Sequence, residues 1–307
     1  MLDSSAFNIS DLTVSSLRSS TPILLAILGE TLTQRVGIIN LGVEGQMLVG
    51  ALAGFAATLS FGNPWIGLLV GALAGVLMSS LHAGLCVGLK ANQIASGIAV
   101  LILGMGLTSF YGIPYVGQKI HGFHHLLSAH WQTVPILGTF VSQLTPTVII
   151  GLIATPLVGI WLYRTRTGLI WRSVGESVQV ARATGINPAF VQVQGVLIGG
   201  FFSGFAGAAM SVDYTRDWVE NMTGGRGLVA VGLVIVARWN PFLALPAALL
   251  FGGSEAFYLR LQTAGVAVSP YLLATIPYVV TLLVLLVSYY LANKEGGAPQ
   301  GLTAIFR

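Results

Sequence analysis

Charge is what this sequence has least of. Its 307 residues include 14 lysines and arginines and 10 acids, 8% in all, where a soluble domain carries roughly 25%. No soluble surface can be covered with so few. Cysteine occurs once, at Cys86 inside an apolar run. That excludes a disulfide framework within the chain, and the residue reads as a small buried hydrophobe. Also missing are a Walker-type phosphate loop, an HExxH helix, and a serine or cysteine nucleophile beside a plausible base. The chain is therefore not expected to be an enzyme or to bind a cofactor or metal. No basic residues precede the first apolar stretch in MLDSSAFNISDL, so a signal peptide is not expected there.

What is present is apolar: 54% of the residues are hydrophobic and the mean hydropathy is +0.83. From Gly45 to Leu89 there are 45 residues without a charge, and from Leu261 to Asn293 there are 33. Such runs read as membrane spans of about 20 residues each. They are too continuous for the short alternating strands of a membrane β-barrel. The expected fold class is an all-α polytopic integral membrane protein with about eight or nine membrane segments, some broken or re-entrant. The net charge of +4 and pI near 9.4 do not indicate nucleic acid, because the arginines sit between the spans.

The first apolar segment covers about 21–32, with a possible start near Leu12. The run Gly37-Ile-Ile-Asn-Leu-Gly-Val-Glu-Gly45 follows. Asn40 is placed to cap the next helix, with Glu44 in its first turn near the positive end of the dipole. An ordinary polar turn explains the run equally well. Carboxylates at a membrane edge need water or a partner, which marks Glu30, Arg35 and Glu44 as a set. Spans follow over 43–59 and 65–87; in the second, Gly67, Gly71 and Gly75 share a face that another helix can approach closely. Asn92, Gln93 and Ser96 open a span that runs to about 113. Two roles are open to them, lining a solute path or hydrogen-bonding across a helix interface. Phe110 and Tyr111 offer an aromatic surface for a nucleobase, or face lipid.

Between 114 and 142 lie His121, His124, His125, His130 and Trp131. Zinc spacings usually include cysteine or carboxylate partners, so an aqueous or interfacial loop is the preferred reading. A span over 145–163 leads to the one long polar interruption, Arg164 to Pro188, with Arg164, Arg166, Arg172 and Arg182 against Glu176. Ser173 stands three residues before Glu176, at capping-box spacing, and Gly185 is positioned to end a short amphipathic helix. Beyond the span at 195–212, an outer loop is expected to hold Asp213, Arg216, Asp217, Trp218 and Glu220. The apolar run 228–237 is too short to cross alone. It is interrupted by Arg238-Trp-Asn-Pro241, as in transporters whose irregular backbone lines a cavity. The last spans cover 242–257 and 270–291.

With the Arg164–Pro188 loop inside, nine basic residues (Arg35, Lys90, Arg164, Arg166, Arg172, Arg182, Arg238, Lys294, Arg307) face four outside (Lys119, Arg216, Arg226, Arg260). That satisfies the positive-inside rule, with Arg18 and the start of the chain unassigned.

Ser173-Val-Gly-Glu-Ser-Val-Gln-Val-Ala-Arg-Ala-Thr-Gly-Ile-Asn187 resembles the cytoplasmic coupling helix of permease subunits in bacterial ABC importers, the family serving ribose, branched-chain amino acids and nucleosides. The match falls on Gly175, Glu176, Ala181, Arg182, Gly185 and Ile186. Arg35-x-Gly37-x-x-Asn40-Leu-Gly-x-Glu44-Gly45, Ala91-Asn-Gln-Ile-Ala-Ser-Gly97 and Gly225-Arg-Gly227 with Arg238-Trp-Asn-Pro241 resemble signatures of its nucleoside and simple-sugar branch. The second permease of guanosine-type uptake systems is the nearest likeness. The resemblance implies a single permease domain over 1–307, with a cytoplasmic coupling loop at about 164–190, in a bacterial cell membrane. It implies ATP and Mg2+ on a partner ATPase, a second permease in a heterodimer, and an extracytoplasmic solute-binding lipoprotein that captures a nucleoside. Simple sugars and riboflavin are the alternatives. An ion-coupled secondary transporter would show inverted repeats, and none is evident. A structural membrane protein would not need the break near Arg238.

Overall fold

The computed structural model describes residues 9–123, 144–265, 268–291 and 297–303. It is helical in the following order: α1 (Ile9–Arg35), α2 (Val43–Phe61), α3 (Pro64–Ala83), α4 (Gln93–Tyr111), α5 (Pro146–Arg164), α6 (Arg166–Glu176), α7 (Val178–Ala183), α8 (Pro188–Ala209), α9 (Arg226–Val236), α10 (Ala244–Thr263), α11 (Pro270–Leu273), α12 (Ile276–Leu291), α13 (Gln300–Thr303). π-helical turns at Gly84–Gly88 and Met210–Tyr214 prolong α3 and α8. Among the described residues, eight helices are long and apolar enough to cross a membrane. The eleven-residue α9 rises only about 16 Å, half of a bilayer core.

Local chemistry sets several helix starts. Asn63 accepts from the Trp65 amide with Pro64 at the first helical position, and Asn187 does the same for Phe190 ahead of Pro188. Both follow the preference for a side-chain acceptor at the cap and proline just inside it.

Small residues then decide the packing. Gly67 faces Gly54 and Thr58, Gly71 faces Gly50, and Gly75 faces Gly200 and Gly204, so α2, α3 and α8 meet backbone to backbone. Around this layer, α1 lies on α8 through Gly29 and Gly199, and on α10 through Ser20 and Gly252. In a bilayer the tails are as apolar as leucine, so close van der Waals contact is what holds such helices together. A Cβ on Gly204 would stand 2.7 Å from the Gly75 Cα. Gly204→Leu is therefore expected to force α3 from α8, at a cost above the roughly 1–3 kcal/mol of ordinary overpacking. Detergent gel filtration should show aggregated protein at sharply reduced yield. A monodisperse, wild-type-like peak would contradict the packing argument.

The bundle has two distinct ends. At the arginine-rich end, Gly175 rests on Arg35 and Gly37, and the Gln192 side chain reaches the Val36 carbonyl. The α13 segment meets the same spot, with the Gln300 amide donating to Glu176 at 3.2 Å. At the far end, the backbones of Lys119 and Asp217 pair in an isolated antiparallel β-bridge, Trp65 packs edge-on to Phe123 at 4.8 Å, and Gly112 abuts Trp218. The beginning of α1 lies there too, where Asp11 and Arg18 share a cleft with Tyr214 and Arg260. Residues 9–42 are thus one long helix followed by a strap, with Arg18 at the far end.

Three expectations from the sequence need correction. Arg226 is not in an outer loop: it opens α9 and is ion-paired with Glu255. Asp213 and Trp218 are buried, the first accepting from Thr147 and the second packed within the main apolar core. Asp213 is carried by the π-helical extension of α8, and Trp218 by the backbone that follows it back into the bundle. Finally, Ser173 is inside α6 and donates to the Ile170 carbonyl. The caps are Thr165, accepting from Gly168, and Ser177, accepting from Val180, because only these residues have extended backbone.

Candidate functional site

The start of α2 does not reach either end of the bundle. Gly42 lies against Val100, and a Cβ on Gly45 would meet the Val100 carbonyl at 2.7 Å. Since α4 runs Gln93–Tyr111, α2 begins beside its middle. The strap from Val36 to Gly42 bridges the gap. Gln93 accepts from the Ile39 amide at 2.8 Å, and the His82 ring meets the Ile39 carbonyl at 3.1 Å and Ser96 Oγ at 3.0 Å. Asn92 caps α4 by accepting from the Ala95 amide. Gln93 and Ser96 are thus brought to the strap, Asn92 is exposed, and Phe110 and Tyr111 sit apart. The two rings stack edge-on at 5.0 Å and are 68% and 61% exposed, so they face away from this chain's own core.

The strap's polar residues each hold something different. Asn40 accepts from the Gly42 amide at 3.0 Å and donates to Gln46 at 3.1 Å. Its backbone amide donates to Glu30, which also accepts from Gln34 at 2.8 Å. Glu44 turns away from its own helix. Its carboxylate accepts from the Thr223 hydroxyl, the Gly225 amide at 2.7 Å and the Gly227 amide at 2.6 Å. These are donors at the start of α9, where a helix leaves its first amides without partners and a negative charge is favoured. A Cβ on Gly227 would stand 2.6 Å from the Glu44 Cα, so glycine is required for that approach. Tyr278 adds a hydrogen bond to the Gly224 carbonyl at 2.7 Å. Beside it the Arg226–Glu255 pair is nearly buried.

The other end of α9 is tied as well. Arg35 Nε donates to the Trp239 carbonyl at 2.9 Å and its guanidinium reaches the Tyr163 hydroxyl at 3.1 Å, while the Trp239 indole donates to Gln34. Glu30, Arg35 and Glu44 therefore do not pair with one another. Glu44 and Arg35 grip opposite ends of a helix that spans half the membrane. The sequence offered one signal for this missed arrangement: Arg226 and Glu255 are isolated charges in apolar surroundings, and such charges require partners.

Against the Arg35 knot lie α6 and α7. Gly175 and Ala181 are buried and seat the pair, with Trp171 edge-on to Trp161 at 4.8 Å and Arg172 over the Tyr163 ring at 5.1 Å. Glu176, Arg182 and Gly185 are exposed, Ile186 is half-buried, and Gly185 ends α7 with φ +82°. The six residues form one unit, with a buried footing and an exposed ridge. Among the described residues no group of three His, Cys, Asp or Glu side chains could hold a metal. His121 is exposed; His124, His125, His130 and Trp131 lie outside the described residues.

Eight long apolar helices with a half-span helix pinned inside them define an all-α polytopic membrane protein of the importer-permease type. The family described as "Branched-chain amino acid transport system / permease component" matches residues 12–289. The chain belongs to that family, and so is the membrane subunit of an ABC-type importer for a small polar solute. It is 38% identical over 91% of both chains to a Haloferax volcanii protein provisionally named as a glucose ABC transporter permease. It is 31% identical to a nucleoside ABC transporter permease of Lactococcus lactis, over 87% of this chain and 88% of that one. A guanosine ABC transporter permease of Bacillus subtilis is 30% identical over 77% and 78%. No solved structure matches the chain.

Proposed function

We propose that this chain is one half of a permease dimer that imports a neutral, hydroxyl-rich solute by alternating access, with a nucleoside as the first solute to test. The observation that carries the reading is the α9 linkage. Gly175 rests on Arg35, Arg35 holds Trp239 beyond the end of α9, and Glu44 holds the start of α9. A push on α6 and α7 is thereby carried to the half-span helix α9 through these contacts. The arginine-rich end is then cytoplasmic, with Arg164–Pro188 as the coupling loop of a single permease domain in the plasma membrane. Glu176, Arg182 and Gly185 meet a separate ATPase that binds ATP and Mg2+. A second permease, expected to be a different chain, completes the path, and an extracytoplasmic lipoprotein delivers the solute at the far end.

Two relatives named for nucleoside and guanosine transport support the nucleoside reading. The relative provisionally named for glucose supports a simple sugar as the second reading. The chain, expressed with its neighbouring genes and captured from mild detergent, is expected to bring down an ATPase and a second permease. Membranes holding that complex should then accumulate labelled guanosine when ATP is present. Repeated capture of this chain alone, in several detergents, would argue for ion-driven transport instead.

A further inference from the structure

A cleft of about 400 Å³ opens where α2, α4 and the backbone leading into α9 come together. Leu48, Met105, Thr108, Ser109, Glu220 and Asn221 line it. It lies between the Glu44 clamp at Thr223 and the far-end contact of Trp218 with Gly112.

The cleft's polar groups are not used by the fold. Thr108 donates to the Gly104 and Met105 carbonyls of its own helix. The side chains of Ser109, Glu220 and Asn221 make no hydrogen bond to any described residue. Asn221 is held with φ +55°, a left-handed conformation that asparagine tolerates better than most residues. A carboxylate can accept from two neighbouring hydroxyls at once, an amide both donates and accepts, and a serine hydroxyl does either. Leu48 and Met105 supply the apolar wall that the CH face of a ring packs against, and the volume suits one small ring system. Among the described residues, no lysine or arginine lines the cleft. The charge of Glu220 is therefore unopposed there, and a phosphorylated solute would be repelled.

We infer that this cleft is the permease's own solute-contact site, in which Glu220, Asn221 and Ser109 bind the hydroxyls of an uncharged sugar ring, free or as the sugar of a nucleoside. The inference rests on the importer reading and adds the residues that contact the solute. The test uses the assembled transporter in proteoliposomes, with guanosine, 2′,3′-dideoxyguanosine, glucose and guanosine monophosphate as probes. The wild-type complex should take up guanosine or glucose, and which of the two is taken separates nucleoside from free sugar. Guanosine monophosphate should be excluded. Glu220→Gln and Asn221→Ala should each lower uptake about tenfold, the scale of one lost charge-assisted or amide hydrogen bond. ATP hydrolysis stimulated by the loaded binding protein should stay within about twofold, since the clamp and coupling ridge are untouched. If the complex prefers guanosine to the dideoxy analogue, Glu220→Gln should erase that preference. Unchanged uptake in both variants would overturn the cleft assignment and leave the importer reading standing. Uptake of the monophosphate, or of none of the probes by a complex whose ATPase is active, would overturn the solute class. Absence of any partner ATPase would instead overturn the importer reading itself.

Discussion

Glu44→Ala is expected to abolish uptake and to lower the melting temperature of the purified transporter by many degrees. The carboxylate is 4% exposed and accepts from Thr223, Gly225 and Gly227. Removing it strands three donors, those of Thr223 and Gly227 buried and that of Gly225 half-buried, and a buried one costs about 1–3 kcal/mol when left unmade. In the membrane interior no bulk water replaces the lost acceptor. The consequence is also directional, because Glu44 is what joins α2 to the start of α9. Glu44→Gln keeps the shape and one acceptor oxygen but loses the charge that favours a helix N-terminus. It should fall between the alanine variant and wild type in both uptake and melting. Wild-type melting and uptake for Glu44→Ala would show that α9 is not held by this clamp.

The second large effect is expected at the exposed ridge of α6 and α7. Glu176→Lys reverses the charge on the ridge of a helix pair whose footing, Gly175 and Ala181, stays intact. Gly185→Pro acts through the backbone: the residue sits at φ +82°, whereas proline is confined near −65°. Both changes should reduce transport to background while leaving the chain in the membrane at near-normal amount, as read by immunoblot of membrane fractions. Captured Glu176→Lys transporter should also retain less ATPase than wild type. Normal uptake in both variants would refute the coupling role. The fold argues that the two failures differ in kind. Glu176 loses a partner contact and its bond from the Gln300 amide, whereas Gly185 loses the turn that releases the chain into α8.

Much of this was legible in the residues alone. The bilayer obliges each span to satisfy its own backbone hydrogen bonds, so span length and hydropathy are local properties, and the helices came where the apolar runs predicted them. The face of Gly67, Gly71 and Gly75 followed from four-residue spacing, since helical periodicity is also local. The turn at Gly185 was legible for the same reason. Glu44 was legible as a residue that must have a partner, but the dipole of its own helix was the wrong partner to expect.

What only the tertiary structure decided was where each buried polar group ends. Glu44 meets Thr223 across 179 positions of sequence, and Arg35 meets Trp239 across 204. Such pairings depend on which spans pack together, and nothing near either residue specifies that. Asp213 and Trp218 looked like loop residues because their neighbours are polar; the continuation of α8 buried the first and the return of the chain into the bundle buried the second. Sequence by itself determined that the chain crosses a membrane many times, because transfer free energy sums residue by residue. The clamp, the knot and the cleft arise from helix packing, which no single stretch of the chain contains.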